Sequence, residues 1–340
     1  MTELGTDLQP TADPKPPAKA TSARALRSVL GFGSIGAIYV WIAIIVLFSI
    51  WIPGLFLTTN TVTQILDEYS ISAIVALALV LPLSAGVYDL SVGSVMGLTG
   101  IVAGALLGHT GLPVVLVVLL SVLCGAAAGL LNALVVVGIG LNSFIATLAT
   151  GSIIAAVTLG ASGQVILTAG LSGPFSKFAS TAVGNIQLPF FYMLVIAILI
   201  WLLLSRTVMG RRVYASGFNP NAARLAGVSV GRITTFALIM SGILAGFAGV
   251  ALASRVQAAD PSAGPTYLIP AFSAAFLGAT QFRRGRFNPW GTLVAVFMIG
   301  TGSQGLLLAG APQWTPQLFQ GVVLIFAVGL TVVGKRDRST

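Results

Sequence analysis

Two glycine signatures in the chain have the spacing of phosphate-binding loops. Gly31-x-Gly33-x-x-Gly36 matches a dinucleotide fingerprint. That fingerprint works only between a strand and a helix, with an acid about 20 residues further on. Here a polar tail precedes it, and no acid lies at that distance. Gly329-x-x-x-x-Gly334-Lys335 resembles a nucleotide phosphate loop, but Arg336 stands where a Ser or Thr hydroxyl must reach magnesium. His109 is the only histidine and has no acidic neighbour; it reads as an interface residue. Cys124 is the only cysteine, so no intrachain disulfide can form. It sits in an apolar run and reads as a small buried residue. No His, Cys or carboxylate set has the spacing of a metal site or a catalytic triad. The sequence therefore offers no catalytic residues, no metal ligands and no cofactor.

The remaining polar residues are few and grouped. Asn142, Ser143 and Thr147, with Phe144 among them, lie about one turn apart at the start of an apolar run. Either they bond to backbone and neighbouring helices, or they line an aqueous path for a hydroxyl-rich solute. Asp89, Ser91 and Gly93 open another run, where Asp89 is placed to cap a helix. Thr61-x-x-Gln64 reads as a capping box at the start of a span. Asp67 and Glu68 follow it and are expected at the water interface, near a helix N-terminus that favours negative charge.

The longest polar interruption runs from Arg206 to Arg232. It carries Arg206, Arg211, Arg212, Arg224 and Arg232, and no acid. Within it, Asn219-Pro220-Asn221-Ala222-Ala223-Arg224-Leu225-Ala226-Gly227 reads as a two-turn helix with marked ends. Asn219 is a good N-cap, Pro220 fits the first helical position, and Gly227 fits the left-handed residue after the last turn. Such a segment is either a solvated basic loop or a rigid knob on which a partner docks.

The elements that carry these residues are membrane helices. Of 340 residues, 56% are hydrophobic and 7% charged, against about 25% charged in soluble domains. This is an all-α integral membrane protein. Residues 1–30 form a polar Pro- and Ala-rich tail, expected to be disordered. Residues 31–334 form the membrane domain, and 335–340 a second short tail. The first apolar run reads as a spanning helix rather than a cleaved leader. Ten apolar runs can be placed, near 35–53, 63–86, 90–109, 113–138, 143–166, 188–205, 232–254, 265–281, 288–309 and 315–333. The third and eighth are short or interrupted by Gly and Pro. With ten spans and both termini cytoplasmic, all of the seventeen Lys and Arg except Lys177 and Arg255 fall inside. That bias is what orients a membrane protein; the net charge of +9 does not imply nucleic acid. Two groups of four spans, 2–5 and 7–10, suggest a duplication. Glycines at 93, 97, 100, 104 and 108, at 125 and 129, and at 242, 246 and 249 form faces that admit a neighbouring helix closely. The stretches 167–187 and 255–265 are the longest outer connections.

Transporters driven by protons or sodium generally place ionisable residues deep in the membrane. In this chain every charge lies near the end of a run. Uphill transport would therefore draw its energy from another chain, and the knob at 219–227 is where that chain would push.

Three motifs carry a family resemblance. Arg211-Arg212-Val213-Tyr214-Ala215-x-Gly217-x-Asn219-Pro220-x-Ala222-Ala223-Arg224-Leu225-Ala226-Gly227 resembles the coupling segment of the ribose-type permeases, the membrane subunits of bacterial ABC importers for monosaccharides. Asp89-Leu90-Ser91-Val92-Gly93 and Ser143-Phe144-Ile145-x-Thr147-Leu148 are similar to two further motifs of that family, in the same order. The likeness covers about residues 35–333. It implies a permease of the bacterial inner membrane, paired as a homodimer or with a related permease. It also implies two cytoplasmic ATP-binding subunits and an extracytoplasmic solute-binding protein. Asn219, Pro220, Ala222, Ala223, Arg224, Leu225 and Gly227 would then contact the ATPase. Three positions depart from the family: Asn221 stands for Glu, Asn142 for Pro, and Val87-Tyr88 for Gly-Ile. The alternative is a secondary transporter or facilitator that needs no ATPase.

Overall fold

The structure, a computed structural model, describes residues 32–282 and 285–336. The 1–30 tail, Gly31, Arg283 and Arg284 lie outside the described residues, as does all of the second tail beyond Arg336. The main helices are α1 (Phe32–Trp51), α2 (Thr59–Ser84), α3 (Val92–His109), α4 (Val114–Ala133) and α5 (Ser143–Ser162), followed by α6 (Leu188–Arg206), α7 (Val208–Phe218) and α8 (Pro220–Leu225). Then come α9 (Val230–Val256), α10 (Leu268–Ala279), α11 (Pro289–Leu308) and α12 (Thr315–Arg336). A π-turn, Leu134–Gly138, extends α4. A two-residue hairpin, β1 (Ala182–Val183) with β2 (Ile186–Gln187), lies before α6.

Each expected apolar run contains a helix. Helices dominate because a backbone in lipid must satisfy its own hydrogen bonds. Among the described residues, seven are long and apolar enough to cross a membrane: α2, α3, α4 with its π-turn, α5, α6, α9 and α11. The apolar parts of α1 and α12, Gly36–Trp51 and Thr315–Ala327, are shorter. The run at 265–281 is not a full span. Its helix, α10, has 12 residues, about 18 Å of rise against a ~30 Å hydrocarbon core. Pro261, Gly264 and Pro265 delay its start. Both rejected phosphate motifs fail on geometry as well: Gly33 and Gly36 lie inside α1, and Gly329 to Lys335 inside α12.

The centre is α2, whose stretch from Ile71 to Val80 is almost entirely enclosed. Helices α9 and α11 are also largely buried, whereas α4, α5 and α6 keep most of their surface outward. Helices α4 and α9 cross at Gly125 and Gly242, where a side chain on either would overlap the other's carbonyl oxygen. Of the α3 glycine face, Gly100 meets Gly249 of α9, and most of the rest meets irregular chain. Gly93 faces Gly264 and Pro265, Gly97 faces Pro261, and Gly104 faces Ala259. The stretch 259–265, which ends in the 3-10 turn Gly264–Tyr267, thus runs down α3 from Gly104 to Gly93, about 16 Å. A backbone pair between Leu167 and Ala259, with N–O distances of 3.0 and 2.8 Å, ties it to the 167–187 connection. That connection sends Leu171 and Phe175 into a small second core with Ile101 and Val250.

Two expectations about α2 change. Its cap is Thr58, whose hydroxyl accepts from Thr61 N–H, so no box starts at Thr61. Asp67 is buried while Glu68 beside it is exposed; the Asp67 carboxylate accepts the Gln187 N–H at 2.8 Å, where the hairpin folds onto α2.

Candidate functional site

The 206–232 stretch is folded. Helix α7 begins at the Thr207 cap, and Asn219 ends it and starts α8. Asn219 Oδ1 accepts the N–H groups of Asn221 and Ala222 at 3.1 and 3.0 Å. At the other end Val228 N–H donates to Ala223 O and Gly227 N–H to Arg224 O, both at 2.9 Å. Gly227 has φ +80°, the left-handed conformation that closes this motif. Asn221 accepts from the Arg224 guanidinium at 3.1 Å. Among the residues read as ATPase contacts, Ala223 alone is buried; Asn219, Pro220, Ala222, Arg224, Leu225 and Gly227 face outward. Leu225 is 91% exposed and Phe218 65%.

Helix α7 anchors this knob. Tyr214 donates its hydroxyl to Phe287 O at 2.7 Å. Gly217 lies so close to the end of α2 that a side chain there would overlap Ser84 O, and its backbone also abuts Gly86. The knob therefore rests on the place where the chain leaves α2.

From Gly86 to Ser91 the chain is not helical. It climbs along the first turns of α5, whose polar side chains complete its backbone hydrogen bonds. Tyr88 N–H donates to Ser143 Oγ at 3.1 Å, and Leu90 N–H to Thr147 Oγ1 at 3.0 Å. Ser143 and Thr147 are thus the holders of this segment, the bonding alternative of the two that the sequence allows. Asn142 caps α5 through Phe144 N–H at 2.9 Å.

Asp89 is not a cap. Position N-cap of α3 is Ser91, which makes no side-chain capping bond. Asp89 is 1% exposed. Its Oδ1 accepts from Ser91 N–H at 3.1 Å and Ser91 Oγ–H at 2.6 Å. Asn132 of α4 donates to Ser91 Oγ at 2.6 Å, and Thr150 of α5 donates to Asn132 Oδ1. Ser241 of α9 faces the same carboxyl group. This network ties the segment between α2 and α3 to α4 and α5 at one point. Gly93 lies one turn on, against Gly264. The sequence reading missed Asn132, Thr150 and Ser241; a lone Asn within an apolar run was the available signal. It also placed all charge at the ends of runs, and Asp89 is the exception, buried because the run before it ends in an ascending strand-like segment.

Removing the Asp89 carboxylate leaves the buried Ser91 N–H unpaired, which costs about 1–3 kcal/mol. Asp89→Ala is expected to lower the melting temperature of the detergent-solubilised protein, and Asp89→Asn, which keeps an acceptor, to lower it by less than half as much. Equal melting of Asp89→Ala and the parent would show that the network does not hold these helices.

One side chain of the ascending segment points outward. Tyr88 is 40% exposed and packs edge-on against Phe144, itself 48% exposed, with ring centroids 6.2 Å apart. Phe276 of α10 stacks on it at 6.5 Å. Irregular backbone at membrane depth is tolerated where it is enclosed by protein or lines a cavity, and broken helices build the solute sites of many transporters. Among the described residues no group of His, Cys, Asp and Glu could hold a metal ion.

Comparison with known proteins agrees with this architecture. Residues 61–328 match the family model described as the permease component of the branched-chain amino acid transport system. The D-allose transport system permease protein of Escherichia coli (strain K12) is 30% identical over 312 residues, 92% of this chain and 95% of that protein. The ribose import permease protein of Bacillus subtilis (strain 168) is 33% identical over 287 residues, 84% of this chain and 88% of that protein. The autoinducer 2 import system permease protein of Salmonella paratyphi B is 31% identical over 302 residues, covering 85% and 91%. No solved structure matches. The chain belongs to this family of multi-pass membrane permeases.

Proposed function

We propose that the chain is the membrane permease of an ABC importer, moving a monosaccharide or similar polyol-like solute at the expense of ATP hydrolysed by a separate subunit. It crosses the membrane ten times with both termini cytoplasmic, the eighth crossing made by the 259–265 stretch together with the half-helix α10; it lies in a bacterial inner membrane and works as a dimer with a second permease. Cytoplasmic ATP-binding subunits and an extracytoplasmic solute-binding protein complete the assembly. The observation that carries the reading is Leu225, 91% exposed on a short helix fixed at both ends. A leucine held out on a rigid support is an anchor for a partner's groove.

The same contacts suggest the transmission. A push on α8 moves α7, and Gly217 bears directly on Gly86. From there the extended segment leads to Tyr88 and Asp89. Phe144 and Tyr88 supply ring faces against which the C–H face of a sugar can pack. Asn142, Ser143 and Thr147 form the supporting side of the path. Relatives named for ribose and D-allose fit a hydroxyl-rich cargo.

The test is reconstitution. The chain alone in vesicles is expected not to concentrate a sugar. Adding ATPase, binding protein and ATP is expected to produce accumulation, and the sugar that stimulates ATP hydrolysis identifies the cargo. Accumulation that persists without the ATPase would instead assign a secondary transporter.

A further inference from the structure

One cavity is lined by none of Tyr88, Asn142, Ser143, Phe144 or Thr147. It is a groove of about 670 Å³ between α1, α2, α6 and α11, lined by Trp41, Phe190, Leu194, Trp201, Trp290 and Val294 among others. Three of the five tryptophans of the chain line it. Along α6 it extends from Phe190 to Leu204, about 21 Å of helix, more than the ~15 Å depth of one leaflet's hydrocarbon. Its volume is that of a ligand site. Almost all of its lining is apolar, so it does not suit a sugar.

The end of the groove nearest the 206–232 stretch is cationic. Arg206 stacks on Trp201 with Cζ 5.6 Å from the ring centre, and Arg286 on Tyr214 at 5.4 Å. Both rings line the groove, and both arginines are exposed. Neither 206–232 nor 281–288 contains an acid to neutralise them. A guanidinium lying flat on a ring keeps its N–H edge available for a phosphate oxygen. The segment leading into α1 carries Arg24 and Arg27, so it repeats the charge of this mouth and does not complement it.

We infer that the groove is a site for an anionic phospholipid, with an acyl chain along α6 and its phosphate between Arg206 and Arg286. The lipid braces α6 and α7 against the start of α11, and so steadies the base of the α8 knob. This does not depend on what the protein transports.

The test uses the full chain in nanodiscs of equal phosphatidylglycerol and phosphatidylcholine, released into a mass spectrometer under native conditions. Two cations at an anionic headgroup should favour phosphatidylglycerol by roughly thirtyfold. The double change Arg206→Gln with Arg286→Gln is expected to bring that preference close to one, while lipid of either kind is still carried. Val294→Phe, which narrows the groove without altering charge, is expected to reduce both adducts. A parent protein that carries the two lipids equally, or carries none, overturns the assignment. So does a double variant with its preference intact.

Discussion

Changing Leu225 to aspartate is expected to abolish ATP-driven uptake while the protein still inserts and folds. The leucine is 91% exposed. Surface changes of that kind usually alter stability by no more than about 0.5 kcal/mol. The loss therefore falls on the partner. A central apolar anchor in a docking groove contributes about 2 kcal/mol or more, and burying a carboxylate there without a partner adds to the deficit. A loss of at least ~30-fold in affinity for the ATP-binding subunits follows, read as failure of the two to co-purify. Gly227→Val tests the same helix by another route. Nothing lies within 4 Å of its missing Cβ, so only the φ of +80° opposes a side chain. The left-handed strain is about 1–2 kcal/mol, and the expected result is impaired transport with near-normal insertion. If Leu225→Asp retains its ATPase and its uptake, the knob is not the docking element.

What could be read before the fold was known followed from local physics. The ends of α8 depend on residues within three positions of each other, Asn219 with Ala222 and Gly227 with Arg224. The apolar runs were visible because lipid exposure demands long uninterrupted stretches. The glycine faces signalled close approach, but not what approached; the partner of Gly93 is 171 positions away at Gly264. The run at 265–281 looked like a span because a buried half-helix is as apolar as a lipid-facing one. Asp89 looked like a cap because its spacing suits one. Its long-range partner, Asn132, itself held by Thr150, reaches it only once α4 and α5 have packed beside α3. Thr147 illustrates the remaining gap. Its place on α5 was legible, but Leu90, whose N–H it accepts, is 57 positions earlier.

Gly264→Val is expected to be the most damaging single change within the membrane domain. A Cβ at 264 would overlap the Gly93 carbonyl oxygen, and the next atoms it meets are also backbone, Gly93 C and Gly97 N. No rotamer can relieve a clash of main chain with main chain. Either the 259–265 stretch lifts off α3 or the start of α3 shifts. The first detaches the turn Gly264–Tyr267 that begins α10, and with it Phe276, which packs on Tyr88. The second pulls on Ser91 and the Asp89 network one turn away. Overpacking of a close-packed interior costs about 1–3 kcal/mol when side chains can adapt, and here they cannot, so the cost is expected above that range. Gly160→Val is the matched control, since nothing lies within 4 Å of its Cβ position and its φ is ordinary. The comparison is the melting temperature in detergent and the yield of folded protein from membranes. The control should match the parent, and Gly264→Val should yield little folded protein. Should the two valine variants melt together, the 259–265 stretch does not pack on α3 as described, and the link from α10 to the ascending segment goes with it.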